Sequence, residues 1–202
     1  LATNIETEGQ KQAEWRTDPA RAGAGGCIGD IGTHAFHLAG FVSGQQPESL
    51  LADLSSFVAG RALDDNAHIL LRYADGARGM LWASQVAAGQ ENALRLRIYG
   101  ELGSLEWMQE NPNVLTHRPL GEPMRTLSRG GAGTQSGVVI RIPPGHPEGF
   151  IEGFATLYSD FADLIEGRAG ELLPTVEDGV KGVRFVDAAV ESMAQGSTWV
   201  TL

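Results

Sequence analysis

One glycine-rich stretch carries an aspartate and a histidine at helical spacing, and these two residue types can transfer a proton. Asp30 and His34 lie four residues apart within residues 25–44. Residues at that spacing lie one above the other on a helix. A carboxylate there can orient an imidazole, and an oriented imidazole is a general acid or base near neutral pH. The spacing therefore predicts that Asp30 and His34 form a chemical pair.

The same spacing also allows a purely structural role, in which Asp30 caps the helix and His34 packs against the core. The glycines on both sides of Asp30 favour chemistry, because they let a ligand approach the backbone closely. His37 shares the polar face but lies one turn deeper, where we expect a hydrogen-bonded core histidine. Cys27 is expected to be a small apolar filler and not a nucleophile.

His146 is a further polar group that could reach the same cleft. It lies in the segment Pro-Pro-Gly-His-Pro-Glu-Gly, which predicts a rigid turn. Asp30, His34 and His146 could also share a metal ion, since carboxylates and imidazoles are metal ligands. No other acid–histidine cluster supports a metal, so we expect none. A metal-dependent isomerase or hydrolase stays open as an alternative.

An amphipathic helix must carry the Asp30–His34 pair. Apolar residues recur at intervals of four, three and four, which marks one helix face. This face consists of Ile31, Ala35, Leu38 and Val42. Asp30 is expected at or just before the first turn, and Gly44 is the expected C-terminal stop.

Alternating apolar and polar residues after this helix predict a series of β-strands. The expected strands are residues 49–59, 67–73, 79–86, 94–99, 104–108, 114–118 and 124–127, with a closing strand at 198–202. Asp75 and Gly76 form a hairpin turn signal between two of them. The short connections predict antiparallel pairing.

Two long helices are expected in the last third of the chain. The first covers residues 150–164, with Pro147 and Glu148 at its start, and it follows a glycine- and serine-rich loop at 128–137. The second begins with a capping box at Thr175 and stops at Gly196. Strands followed by helices are typical of an α+β fold. We expect a large, mostly antiparallel sheet with helices on one face, in a single domain over residues 1–202.

The amino-acid composition argues against several classes of binding partner and of covalent or metal cross-link. The formal net charge of −10 argues against binding to nucleic acid or to anionic membrane surfaces. The one cysteine excludes an intramolecular disulfide and a cysteine-built zinc site. No signal peptide or apolar span is evident, so a cytoplasmic location is expected. The chain starts without Met, as a fragment would, and it lacks a Gly-x-Gly-x-x-Gly dinucleotide fingerprint.

Four motifs in this order resemble the glucose–fructose oxidoreductase/inositol dehydrogenase/MocA family. The first is the Asp-x-x-x-His motif of Asp30 and His34, with its glycines before it and a helix after it. The others are Trp15-Arg16-Thr17-Asp18-Pro19, His146-Pro147-Glu148-Gly149-Phe150, and the ending from Asp178-Gly179-Val180 through Asp187-Ala188-Ala189 to Thr198-Trp199-Val200. The resemblance therefore extends over nearly the whole chain.

The resemblance implies the C-terminal domain of a two-domain oxidoreductase that uses NAD or NADP. Family members act on sugars, inositols and related polyols, and a Rossmann domain that is absent from this chain binds most of the cofactor. Position in the motifs implies that His34 transfers the proton and that Asp30 binds the substrate and orients His34. It also implies substrate contacts by Thr33, His146, Trp15 and Arg16, with Arg16 touching the cofactor as well.

Two further expectations follow from the resemblance. The open face of the sheet is expected to form a homo-oligomer interface, as is common in this family. The isolated chain is expected to be catalytically silent, because hydride transfer needs the missing cofactor domain. A non-catalytic assembly module is the remaining alternative.

Overall fold

A computed structural model describes residues 14–131, 140–168 and 172–202. The chain divides into two compact units. The first contains the described residues up to Gln90 together with Thr175–Leu202, and the second contains the described part of Glu91–Pro174. Most of the loop predicted at 128–137 lies outside the described residues, as do the residues before Glu14.

Four α-helices and eight strands follow one another along the described chain, after a 3-10 turn at Glu14–Thr17. In chain order they are α1 (Pro19–Ala22), α2 (Thr33–Ser43), β1 (Pro47–Ser55), β2 (Asn66–Tyr73), β3 (Arg78–Ser84), β4 (Arg95–Gly100), β5 (Gly103–Met108), β6 (Val114–Pro119), β7 (Arg125–Ser128), α3 (Phe150–Ile165), α4 (Val176–Ala194) and β8 (Val200–Thr201). A π-helical turn at Ile28–Gly32 leads directly into α2.

The first unit is a four-stranded antiparallel sheet with α2 and α4 packed on one face. The strand order is β3-β2-β1-β8. Alternate residues of β1, β2 and β3 face the helices and are buried, namely Leu50, Ala52, Ala67, Ile69, Leu71, Leu81 and Ala83. Phe36 of α2 stacks on Phe185 of α4 with ring centroids 4.2 Å apart. This core fixes α2 over the sheet, and α2 carries the predicted site.

The second unit contains a separate four-stranded antiparallel sheet and helix α3. Its strand order is β4-β5-β6-β7. The α+β class, with antiparallel strands, is confirmed, but the strands are hydrogen-bonded in two sheets where one large sheet was expected. The chain leaves the first sheet after β3. The connection at residues 85–94 contains no strand, and β4 then pairs with β5 and not with a strand of the first sheet.

Local signals in the sequence predict one hairpin turn and two helix ends correctly. The hairpin at Asp75-Gly76 is confirmed, with Gly76 at φ +93°. Gly44 ends α2 in the left-handed conformation at φ +70°. Thr175 and Asp178 form the expected capping box of α4. These turns and caps depend on neighbouring residues only, so the sequence suffices to predict them.

The start of α3 differs from the prediction. The helix begins at Phe150, two residues after Glu148, so Glu148 does not interact with its first turn as expected. Glu152 supplies the negative charge instead, accepting the Gly149 N–H at 2.8 Å. That backbone hydrogen bond lowers the pKa of Glu152. Among the helices of the described residues, none is both long and apolar enough to cross a membrane.

Candidate functional site

The helix that carries Asp30 and His34 starts with a π-helical turn. Thr33 donates its N–H to the carbonyl of Ile28, five residues earlier, and Asp30 donates to Gly26 at 3.0 Å. Asp30 therefore lies inside the first turn and does not serve as the N-cap. Of the two predicted positions for Asp30, at the first turn or just before it, the first is confirmed. Single π-turns inside helices are frequent at functional sites.

A carboxylate from a distant segment caps this helix. Asp64 lies just before β2, and its two oxygens accept the N–H groups of Gly26 at 2.5 Å and Ile28 at 2.9 Å. The Asp64 backbone carbonyl accepts the N–H of Cys27 at 2.8 Å. Helix N-termini have unpaired N–H groups and favour negative charge. Asp64 therefore does the capping that the sequence suggested for Asp30.

Close packing explains one of the glycines in the loop. A Cβ atom on Gly26 would lie 2.1 Å from the Asp64 carbonyl oxygen and 2.9 Å from Cβ of Leu63. Any side chain at position 26 would therefore push the helix start away from Asp64. Gly29, two residues past Cys27, has open space where a Cβ would be. The glycines of this loop thus serve different purposes.

Cys27 is a structural residue in this arrangement. Its side chain is fully buried, and its thiol donates to the Asp64 carboxylate at 3.0 Å. Burial, and then the negative charge of Asp64, raise the pKa of the Cys27 thiol far above its usual range. A nucleophilic cysteine needs the opposite shift. The geometry agrees with the expectation of a small buried filler.

The Asp30 carboxylate is held by two side chains. Gln85, directly after β3, donates its amide to one oxygen at 3.0 Å, and Arg16 lies 3.4 Å from the other oxygen. The Arg16 guanidinium also lies over the Trp15 ring, 5.4 Å from its centre. The structure thus brings together Trp15, Arg16 and Asp30, three of the residues singled out from the sequence.

His34 and Thr33 occupy the start of α2, next to this cluster in sequence. The His34 side chain is exposed, and within the described residues it makes no hydrogen bond or ion pair. The Asp30 carboxylate contacts Gln85 and Arg16, so the expected orientation of His34 by Asp30 stays a prediction. Thr33 donates its hydroxyl to the Gly29 carbonyl at 3.0 Å.

His37, which the sequence placed in the core, is exposed. It lies on α2 one turn beyond His34, and its ring lies 6.3 Å from the ring of Phe41, which is also exposed. The expectation of a buried, hydrogen-bonded histidine is therefore wrong. The reason is that Phe36, and not His37, points into the core and stacks on Phe185.

Gln85 and Asp64 are the two site residues that the sequence reasoning missed. Both lie at the ends of strands, Asp64 just before β2 and Gln85 just after β3. Their partners are 36 to 55 residues away in sequence. A polar residue at a strand end is a usable signal for a site, but it does not tell which helix it meets.

In the second unit, a carboxylate also holds the segment that carries His146. Glu148 accepts the N–H groups of Arg141 at 2.6 Å and Ile142 at 2.7 Å. Arg129 lies 3.2 Å from Glu148 and donates to the His146 carbonyl at 2.7 Å. The predicted rigid turn is therefore tied at both ends, by hydrogen bonds and by an ion pair that is largely buried.

The described residues do not fit a dinucleotide by themselves. A glycine loop before a helix can bind a pyrophosphate with its free N–H groups. Here the N–H groups of Gly26 and Ile28 already bind the Asp64 carboxylate, which would repel a phosphate. Within the described residues there is also no group of three or more acidic, histidine or cysteine side chains arranged to hold a metal.

Comparison with known proteins gives consistent results. The family model of the GFO/IDH/MocA C-terminal domain matches residues 3–106, just over half of the chain. An uncharacterized oxidoreductase of Bacillus subtilis, YfiI, is 36% identical over 208 residues, covering 96% of this chain and 53% of that protein.

Solved structures agree in fold. An oxidoreductase from Sinorhizobium meliloti is 52% identical, with a TM-score of 0.83 over 86% of this chain and 52% of that one. An inositol dehydrogenase homolog from Azotobacter vinelandii, complexed with NAD+, is 36% identical, with a TM-score of 0.91 over 100% of this chain and 55% of that one.

The chain spans about half the length of each of these relatives. The region matched by the family model includes the glycine loop, the helix α2 and the strands β1, β2 and β3 of the first sheet. The relatives are oxidoreductases, and crystal structures among them hold a nicotinamide cofactor. The chain belongs to the Gfo/Idh/MocA oxidoreductase family and corresponds to its C-terminal domain.

Proposed function

We propose that this chain is the substrate-binding half of an NAD(P)-dependent oxidoreductase that oxidises a hydroxyl group of a sugar or polyol. The observation that carries the proposal is the Asp30 carboxylate, fixed between Gln85 and Arg16 one turn before the exposed His34. Relatives support the substrate class, since one structure holds NADH and myo-inositol and another holds NADH and levoglucosan.

His34 is the proposed proton acceptor. A bound nicotinamide would supply the hydride acceptor for the alcohol carbon, and the His34 imidazole would take the hydroxyl proton as that carbon becomes a carbonyl. Asp30 accepts a hydrogen bond from a substrate hydroxyl and keeps that hydroxyl within reach of His34. An acid–base residue in this position contributes about 10²–10⁴-fold to the rate.

The other predicted residues are proposed to surround the substrate. Thr33 directly precedes His34, and Arg16, which lies over the Trp15 ring, contacts Asp30. His146 is proposed to contribute from its own anchored turn. Arg16 is also the proposed contact to the cofactor, because it is a half-exposed cation whose guanidinium can bind a phosphate or an amide oxygen.

The cofactor is proposed to be NAD or NADP, bound mainly by a separate nucleotide-binding domain. The capped helix start supports this division, since the N–H groups of Gly26 and Ile28 already bind the Asp64 carboxylate. The isolated chain of 202 residues is therefore expected to show no turnover of a polyol with either nucleotide. Turnover by that chain alone would contradict the division.

A homo-oligomer is proposed through the face of the first sheet that the helices leave open. Leu70 of β2 pairs with Met80 of β3, and both project from this face together with Trp82. Their exposed fractions are 49%, 80% and 59%. Exposed apolar residues in one patch are typical of protein interfaces. Light scattering should show a smaller assembly for Met80→Glu than for the control Met124→Glu, and equal masses would contradict this interface.

The direct test compares two histidines of the same helix. In the full-length oxidoreductase, His34→Ala should lower kcat at least about 100-fold with myo-inositol, levoglucosan or L-sorbose, whichever is oxidised fastest. His37→Ala is the matched control, since His37 is also exposed and lies one turn away, and it should stay within about twofold of the parent. Equal activity of the two variants would overturn the proposal, and so would a tightly bound divalent ion required for activity.

A further inference from the structure

Gln85 contacts the Asp30 carboxylate, and the Asp-x-x-x-His motif does not explain this contact. The Nε2 atom of Gln85 donates to Asp30 Oδ2 at 3.0 Å across a sequence separation of 55 residues. Asp30 Oδ1 faces Arg16 at 3.4 Å. The two oxygens of one carboxylate are thus held by two different side chains, one neutral and one charged.

The two holders differ in how firmly they are themselves anchored. Arg16 lies on the 3-10 turn Glu14–Thr17, and 43% of its side chain is exposed. Gln85 directly follows β3, and its backbone N–H donates to the carbonyl of Asp65 at 2.8 Å. Because Gln85 is tied to the sheet, it defines the position of the Asp30 carboxylate better than Arg16 can.

The anchor behind Gln85 is buried. Asp65 is fully buried, and its carboxylate accepts the N–H groups of Phe57 at 2.9 Å and Val58 at 3.0 Å. The guanidinium of Arg61, also buried, lies 3.3 Å from the same carboxylate. Breaking a buried network of this kind is costly, so the backbone at Gln85 has little freedom to move.

A neutral amide suits a carboxylate that must also bind a ligand. An ionised carboxylate has about four lone-pair sites, and Gln85 uses one of them without neutralising the charge. The remaining sites can accept hydrogen bonds from hydroxyl groups. We propose that Gln85 is the positioning residue of Asp30, acting through one hydrogen bond to set which carboxylate lone pairs face the substrate. This inference rests on the substrate-binding role proposed for Asp30.

Two readouts test it independently. In the full-length oxidoreductase, Gln85→Leu should lower kcat with the polyol about tenfold and leave the KM for the nucleotide unchanged. Gln85→Glu keeps the side-chain length but replaces the donor by a second carboxylate, and it should lower kcat at least as much. Gln90→Leu, an exposed position five residues on, is the control and should match the parent. Parent-like kcat in Gln85→Leu would overturn the proposal.

The second readout needs no activity. The side-chain amide protons of Gln85, assigned by their loss in Gln85→Leu, should show a downfield NMR shift that disappears in Asp30→Ala. An unchanged amide spectrum in Asp30→Ala would refute the contact itself. If the parent enzyme oxidises no polyol while the shift behaves as expected, the function proposed for Asp30 fails and the Gln85–Asp30 contact stands.

Discussion

Each unit has a carboxylate that accepts two backbone N–H groups and thereby holds a segment with a predicted site histidine. In the first unit Asp64 holds the helix start before His34, and in the second Glu148 holds the turn with His146. Asp64 caps a helix that packs on a buried core, whereas Glu148 is paired with Arg129 in a unit whose described residues include no fully buried side chain.

The different surroundings of Asp64 and Glu148 indicate how firmly each histidine segment is held. Removing Asp64 leaves donors unpaired at the edge of a packed core, where water cannot easily replace the carboxylate. Removing the charge of Glu148 still leaves an acceptor in place, and Arg129 keeps its hydrogen bonds to the carbonyls of the turn. Loss of Asp64 should therefore lower the free energy of unfolding more than loss of the Glu148 charge.

The largest expected effect is that of Asp64→Ala. The variant leaves the N–H groups of Gly26 and Ile28 without an acceptor, and each such buried group costs about 1–3 kcal/mol. We expect the free energy of unfolding in urea to fall by about 2–4 kcal/mol. Glu101→Ala, which changes an exposed carboxylate in the turn between β4 and β5, is the control and should change it by less than about 0.5 kcal/mol. Similar losses in both variants would show that Asp64 is no cap.

Cys27 reports on the same contact through its reactivity. Because burial and the Asp64 charge raise the pKa of its thiol, the native protein should react very slowly with a thiol reagent at pH 8. Loosening the helix start in Asp64→Ala should accelerate labelling by about tenfold or more, since the thiol loses its acceptor and gains solvent. Labelling of the native thiol as fast as that of the unfolded chain would contradict the packing described for Cys27.

A smaller effect is expected for Glu148→Gln. Both backbone N–H groups bind Oε1, which the amide retains as an acceptor, but the largely buried ion pair with Arg129 is lost, at a cost of about 1–2 kcal/mol. Glu122→Gln is the control, because Glu122 also pairs with an arginine, Arg125, but on the exposed surface. Such surface pairs contribute about 0–1 kcal/mol. A loss for Glu148→Gln that exceeds that for Asp64→Ala would reverse the comparison.

The smallest effect is expected at the exposed cap of α4, where Asp178 binds Thr175 and holds no site segment. The hydrogen bond from the Thr175 N–H lowers the pKa of Asp178 well below its usual range, and the hydrogen bond from Lys181 contributes in the same direction. A carboxyl whose pKa is lower in the folded state stabilises the fold above its unfolded-state pKa, and this contribution is lost as pH falls through the folded-state pKa. Asp178→Asn should therefore weaken the acid dependence of stability below about pH 4. An unchanged acid profile would contradict the cap.

Contacts between near neighbours in the chain could be predicted, and contacts across it could not. The cap at Thr175, the stop at Gly44 and the hairpin at Gly76 each depend on a few adjacent residues. The Asp64 cap and the Gln85–Asp30 bond link segments that only the sheet brings together. Hydrophobic periodicity gives the strands but not their partners, so two sheets were expected as one.

The same limit applies to the candidate site. The Asp-x-x-x-His spacing identified Asp30 and His34, and the pairing of Arg16 with Asp30 agrees with placing the two motifs in one site. It also suggested that Asp30 caps the helix, because an aspartate near a helix start usually does. The cap proved to be Asp64, whose distance in sequence hides it from any local pattern. The Asp30 carboxylate contacts Gln85 and Arg16 instead of capping the helix.

We propose different roles for the two histidine segments, namely proton transfer at His34 and substrate contact at His146. The measurement that tests this proposal most directly is the steady-state kinetics of His34→Gln and His146→Gln in the full-length oxidoreductase. We predict that His34→Gln lowers kcat about 100-fold or more, while His146→Gln mainly raises the KM for the polyol and leaves kcat within about threefold. A large loss of kcat in His146→Gln with a parent-like kcat in His34→Gln would contradict the account.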